Sequence, residues 1–266
     1  MTAHHIKYSV DGDGIATLKI DRAEKRNAIT WAMLQAFNGY IAEASNDDKV
    51  RVLIVTGADG AFCAGTDLAD LQNTPTEERS TRGGARTGNE AARRYWNLLQ
   101  CPKPVIGAID GTAMGMGAEW TSMCDVRIVS TRSRFAWNFA HRGLVPDTGA
   151  GSWLLPRLIG PSQTLRLLYS GDFLSAEDAY RIGYANEMVA PEKTLEAAMA
   201  EAQKYLKSSP FSIRHIKELV WKGLERDVEG HMGEHLKAMA LCFASEDHKE
   251  GVASFLERRP AKFVGR

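Results

Sequence analysis

The 266-residue chain predicts an α/β fold: a layered core of buried strands alternating with helices, followed by a helical C-terminal region. Three observations carry this. Short runs of β-branched and apolar residues recur at intervals through the first half, as buried strands do. Segments with helical spacing of apolar residues separate them, the pattern of a layered α/β core. After about Pro161 the strand pattern gives way to amphipathic helix.

Ile15–Ile20 alternates in the manner of a half-buried strand. A helix starts near Thr30 and carries Met33, Leu34, Phe37 and Ile41 on one face. The run from Val50 to Thr56 is β-branched and ends at Gly57, as a buried strand would, and the loop Gly60–Asp67 follows. Residues 73–88 are polar, with Pro75, Gly83 and Gly84, and predict a surface segment. A helix over about 90–99 leads to Pro102 and Pro104. Val105–Ile109 and Val126–Val129 are two further buried strands. Ser175 followed by Asp178 opens a helix that Gly183 stops. Ser209-Pro210 opens another, since proline fits the first turn, and amphipathic helix continues to Pro260.

Bulk properties exclude several functions. Lys+Arg and Asp+Glu both number 33, so a neutral chain gives no reason to expect nucleic acid or an anionic membrane as partner. Cys63, Cys101, Cys124 and Cys242 have neither metal-ligand nor redox-motif spacing, which predicts four reduced thiols. The N-terminus has no apolar core of a signal peptide and no apolar run is long enough to span a bilayer, so the expected location is the cytoplasm.

Two glycine-bracketed turns carry the candidate chemistry. One is Ala64-Gly65-Thr66-Asp67; the other runs from Gly111 through Gly115, Met116 and Gly117 to Glu119. Each follows a buried strand. Glycine there lets backbone N–H groups face a cleft without an obstructing Cβ, and two N–H groups converging on one point make an oxyanion hole. Ordinary strand-to-helix turns would look similar. A dinucleotide fingerprint is not met by the second turn, because Trp120 stands where its third glycine belongs and no acidic residue ends a clearly following strand. Glu119 is a first-turn acid or a general acid/base. Asp147 sits in a Pro- and Gly-crowded loop, where it caps a helix starting near Ser152 or acts in chemistry. His231 and His235 have helical i,i+4 metal spacing but no third ligand candidate, so no metal site is predicted. No G-x-S-x-G elbow is present, against a serine hydrolase.

Taken in order, these segments resemble the crotonase (enoyl-CoA hydratase/isomerase) family over nearly the whole chain. Asp21–Ile29 resembles its early loop. Ala61-Phe-Cys-Ala-Gly-Thr-Asp-Leu68 is similar to its AF-x-AG-x-D-[IL] signature. Pro104–Gly111 and Gly115–Glu119 resemble its P-V-I-A-A-x-x-G and GGG-x-E segments, and Ser254–Pro260 with Phe263 its C-terminal tail. The resemblance implies a spiral of repeated ββα units over 1–200 and a C-terminal helical trimerisation region over 201–266. It further implies a homotrimer or dimer of trimers, with a coenzyme A thioester as substrate and no separate cofactor. By position it puts oxyanion donors at the N–H groups of Thr66 and Met116, where the family usually has glycine at 116, so that the Met116 side chain would intrude on the acyl pocket. It puts coenzyme A along Lys25, Arg26 and Ala28, then Ala64, Asp67 and Leu68, with Lys262 and Phe263, from a neighbouring subunit, at the nucleotide end.

The family's hydratases use two glutamates. Glu119 matches one; Phe139 stands where the other belongs, and cannot move a proton. Asp147 instead matches an aspartate of certain family isomerases. The resemblance therefore leans toward double-bond isomerisation of an enoyl-CoA, with Glu119 and Asp147 as the proton-moving pair. Hydration by an atypical acid pair, a dehalogenase-like reaction needing a histidine base such as His141, and a non-catalytic CoA-binding or assembly protein are the alternatives. Trp120, Trp137 and Phe139 are expected either to line an acyl pocket or to belong to the core.

Overall fold

The computed structural model describes residues 5–73 and 96–266. The surface segment expected at 73–88, beyond its first residue, and most of the helix expected at 90–99 lie outside the described residues; of that helix, α3 (Asn97–Gln100) is described.

The strands expected at 15–20, 50–56, 105–109 and 126–129 are present as β2 (Ile15–Ile20), β3 (Val52–Gly57), β5 (Val105–Ile109) and β7 (Val126–Ser130). They lie side by side in a six-stranded sheet, edged by β1 (Ile6–Val10) before β2 and by β10 (Glu187–Val189) after β7. Only β1 runs antiparallel to its neighbour. A parallel sheet has both faces covered, which is why these strands read as near-continuous apolar runs.

A smaller sheet crosses beyond the C-terminal ends of the large one. It holds β4 (Ala61–Cys63), β6 (Thr112–Met114), β8 (Arg134–Ala136) and β9 (Leu174–Ser175). Each repeat thus places one strand in each sheet and then turns into a helix: β3, β4, α2 (Leu68–Asn73), then β5, β6, α4 (Met116–Met123). This is the expected ββα spiral.

The core has two parts. On one face, α1 (Trp31–Asn46), capped by the Thr30 side chain, buries Met33, Leu34, Phe37 and Ile41 as its spacing predicts. Of the two readings open for them, Trp120 and Trp137 take the core: Trp120 stacks on Phe37 with ring centroids 4.1 Å apart, and Trp137 packs edge-on against Tyr184. On the other face, Ala198 and Ala202 of α9 (Thr194–Leu206) pack on Ile15, Val52, Ile54, Ile106 and Ile128. The boundary drawn at residue 200 falls inside this helix, whose small residues let it lie close to the sheet.

Between the sheets and α9 come α5 (Ala150–Trp153), α6 (Leu155–Ile159), α7 (Pro161–Ser170) and α8 (Ala176–Arg181). Ser175 caps α8 by accepting from the Asp178 N–H, as expected. Then follow α10 (Pro210–Gly223), α11 (Val228–Ala244) and α12 (Glu246–Leu256). α10 is fastened to the sheet by Lys217, whose Nζ donates to Asp125 Oδ2 at 2.7 Å.

Candidate active site

The early loop is locked to the first glycine turn. Asn27 is fully buried with φ +58°; its Nδ2 donates to the carbonyls of Ala58 (3.0 Å) and Ala61 (2.6 Å), and its Oδ1 accepts from the Arg22 N–H. The Ala64 N–H donates to Arg26 O, and the Ile29 N–H to Gly65 O. Ala28, Ala64, Asp67 and Leu68 therefore meet along one partly exposed seam, with Lys25 and Arg26 exposed at its end. Replacing Asn27 with Ala removes the donor to Ala61 O and the acceptor of the Arg22 N–H, while Ala58 O keeps the Ala61 N–H, and is expected to cost about 2 kcal/mol of stability. A shift of the urea midpoint with unchanged slope measures this.

The Asp67 carboxylate is already engaged. Oδ2 accepts from Arg22 at 2.7 Å, and Oδ1 from the N–H groups of Ala69 and Asp70 at the start of α2. The Arg22 hydrogen bond holds its pKa below the ordinary carboxylate value.

The Ile29 N–H donates to Gly65 O and the Asp67 N–H to Ile29 O, so the intervening Thr66 N–H points away from that bridge. Met116 opens α4, where an N–H has no acceptor within its own helix. The two turns touch. A Cβ on Gly65, at φ +91°, would lie 2.9 Å from Met114 O and 3.7 Å from Met116 N; one on Gly115 would lie 4.0 Å from Gly65 Cα. Gly115, at φ +54° and ψ −123°, has a backbone that only glycine adopts readily. Met116 itself has an ordinary negative φ, and its side chain is buried among apolar residues in the cluster that also holds Phe139. Cys63 Sγ accepts the Gly65 N–H at 3.4 Å from behind, and burial pushes this thiol up to about 12, so it stays neutral.

Glu119 lies one turn into α4, with no solvent-exposed surface. Its Oε2 accepts from the Thr148 hydroxyl at 2.6 Å, while Oε1 makes no hydrogen bond and lies 2.5 Å from where a Gly151 Cβ would stand. Burial pushes its carboxyl up to about 8; the Thr148 hydrogen bond opposes this, and the charge of Asp147 adds to it. Asp147 does not cap a helix, because α5 begins at Ala150 with Gly149 at its N-cap. Asp147 is exposed to solvent, unlike the sealed Glu119. Desolvation by the surrounding loop nonetheless pushes its carboxyl up to about 6, against hydrogen bonds from its own N–H and that of Thr148.

Phe139 sits beside the second turn, 4.0 Å from a Cβ placed on Gly115. His141 pairs with Ser170 O at 2.7 Å, at the C-terminal end of α7. Thr148, Gly151 and Trp96, whose Nε1 donates to Thr148 O at 2.6 Å, belong to the site but carry no motif that a sequence would flag. Lys262 and Phe263 lie elsewhere. Phe263 shares a cleft with Val10, Lys49 and Lys103, at the N-terminal ends of β3 and β5, whereas the glycine turns follow the C-terminal ends. A single chain does not bring this tail to the Ala64–Leu68 seam. His231 and His235 face one another with ring centroids 6.2 Å apart; among the described residues no group of three or more His, Cys, Asp or Glu could hold a metal ion. Nor is any described helix long and apolar enough to cross a membrane.

Known proteins match this architecture. The family model for enoyl-CoA hydratase/isomerase matches residues 11–266. A crotonyl-CoA hydratase from Syntrophomonas wolfei is 34% identical over 254 residues, covering 95% of each chain. The 1,2-epoxyphenylacetyl-CoA isomerase of Escherichia coli K12 is 32% identical over 258 residues, covering 95% of this chain and 96% of its own. The crystal structure of an enoyl-CoA hydratase from Bacillus anthracis superposes with a TM-score of 0.90 at 27% identity, over 98% of this chain and all of the other. With its ββα spiral, paired glycine turns and buried glutamate, the chain belongs to the enoyl-CoA hydratase/isomerase family, the crotonase superfamily.

Proposed function

We infer that the chain moves a double bond along the acyl group of an enoyl-CoA thioester. The observation that carries this is the carboxyl pair: Glu119 is sealed and raised to about 8, Asp147 is open and raised to about 6, and Phe139 stands in place of a second glutamate. Two titratable groups pushed apart in this way take opposite roles, Asp147 as base and Glu119 as acid.

In this reading the thioester oxygen accepts from the Thr66 and Met116 N–H groups. Asp147 takes a proton from the α-carbon, and the negative charge spreads from the enolate oxygen along the conjugated chain. Glu119 returns a proton at the γ-carbon. Asp147 then loses its proton to solvent, and Glu119, the weaker acid, regains one. Coenzyme A enters as part of the substrate and lies along Lys25, Arg26, Ala28, Ala64 and Leu68, with main-chain contact at Asp67. Lys262 and Phe263 reach that seam only from a second copy. Exposed apolar side chains on the C-terminal helices, among them Ile216, Val220, Met232, Leu236 and Phe243, support a homotrimer or a dimer of trimers.

The test follows conversion of a 3-enoyl-CoA to the 2-enoyl isomer. Activity is expected to rise as pH passes about 6, where Asp147 ionises, and to fall as it passes about 8, where Glu119 loses its proton. Asp147→Asn is expected to lose roughly 10²–10⁴-fold in kcat. Hydration is the second reading, favoured by the hydratase names of several relatives. Fast crotonyl-CoA hydration that survives Asp147→Asn would refute the isomerase assignment.

A further inference from the structure

The carboxyl of Glu119 does not stand alone in its pocket. Thr148, itself buried, is 29 residues away in sequence and gives its hydroxyl to Oε2 at 2.6 Å. The hydroxyl is oriented from the other side, since its oxygen accepts the Ala150 N–H at 3.3 Å. The Thr148 main chain is held in turn by the Trp96 indole N–H on its carbonyl. Oε1 makes no hydrogen bond of ordinary geometry and faces Gly151, where a Cβ would stand 2.5 Å away.

We propose that Thr148 is a positioning residue of the reaction: by occupying Oε2, its hydroxyl makes Oε1 the oxygen that carries and releases the transferred proton. This rests on the reading of Glu119 as the proton donor. A hydroxyl has one proton. With the Ala150 N–H on its oxygen, Thr148 spends that proton on Oε2, so a protonated Glu119 carries its own on Oε1. After transfer, the same contact becomes a charge-assisted hydrogen bond to the carboxylate, which is shorter and stronger than a neutral one. Thr148 therefore favours the state that follows proton release over the one that precedes it. Among the described residues, the charged group facing Glu119 is Asp147; its other close neighbours are the Thr148 hydroxyl and the Ala150 and Gly151 N–H groups. The remaining side chains of α4 are not charged.

The experiment compares wild type, Thr148→Val and Thr148→Ser. It measures the pH dependence of α-proton exchange in D₂O and of isomerisation, alongside a ¹³C-carboxyl titration of Glu119 assigned with Glu119→Gln. Valine keeps the shape and removes the hydroxyl; serine restores it. Thr148→Val is expected to move the alkaline limb and the Glu119 titration upward by about one pH unit. It should lower kcat about 10-fold or more near pH 7, leaving KM within about twofold. Thr148→Ser should recover most of the rate. A limb that stays in place in an active Thr148→Val enzyme, or a serine variant as slow as valine, overturns the role. So does a change confined to KM and melting temperature, which marks a merely structural part. A wild-type enzyme inert toward every thioester overturns the functional reading, and this role with it.

Discussion

Glu119→Gln is expected to abolish proton transfer and at the same time to stabilise the fold at alkaline pH. Loss of a general acid removes roughly 10²–10⁴-fold in rate. The gain in stability follows from the sign of the shift. The folded carboxyl titrates at about 8 against an ordinary value of 4.5, so between these the native state holds a proton that the unfolded chain has released. Stability from this group is therefore full below about 4.5 and drains away as pH rises through about 8. An amide has no such cost. For a fully buried group the difference is on the order of a few kcal/mol, worth several degrees in melting temperature. Melting curves at pH 5 and pH 9 measure it: the two proteins should converge at the lower pH and separate at the higher. A glutamine variant that melts below wild type at pH 9 would mean that the native site holds Glu119 ionised and paired.

The second large effect is expected at Gly65. Gly65→Ala puts a Cβ 2.9 Å from Met114 O, on a residue held at φ +91°. The contact is with backbone, so the turn must move, and the Thr66 N–H moves with it. Losing one donor of this kind costs about 10²–10³-fold in rate. Thioester affinity should change far less, because the ground-state carbonyl depends little on that hydrogen bond. The measurement pairs α-proton exchange rates with calorimetric binding of an unreactive acyl-CoA. Gly12→Ala serves as comparison, since a Cβ there meets nothing within 4 Å. Equal effects at the two positions would remove the Thr66 N–H from the mechanism.

Long elements with one clear period were legible in the chain itself. β2, β3, β5 and β7 are continuous apolar runs because both faces of a parallel sheet are covered, and α1 shows its buried stripe plainly. β1 was not legible: as an edge strand it buries Ile6 and leaves most of its length accessible, so it lacks the pattern. β4, β6 and β8 are three residues each, too short for any period to register. At the site, the glycine turns and both acids stood out. Thr148 did not, because its partner lies on a different element and a lone threonine beside Pro146 and Gly149 reads as an ordinary turn residue. For Trp120 and Trp137 spacing left pocket and core both open, and the core is where they pack: aromatics close to catalytic residues in sequence can point into the core behind them.

The Arg22–Asp67 contact bears on what acid does to this protein. Asp67 keeps its negative charge to lower pH than an unassisted carboxylate, while Asp147 takes up a proton much sooner. Mild acid should therefore silence turnover while the seam beside the first glycine turn remains clasped. Restoring neutral pH should return full activity at once, with no lag for refolding.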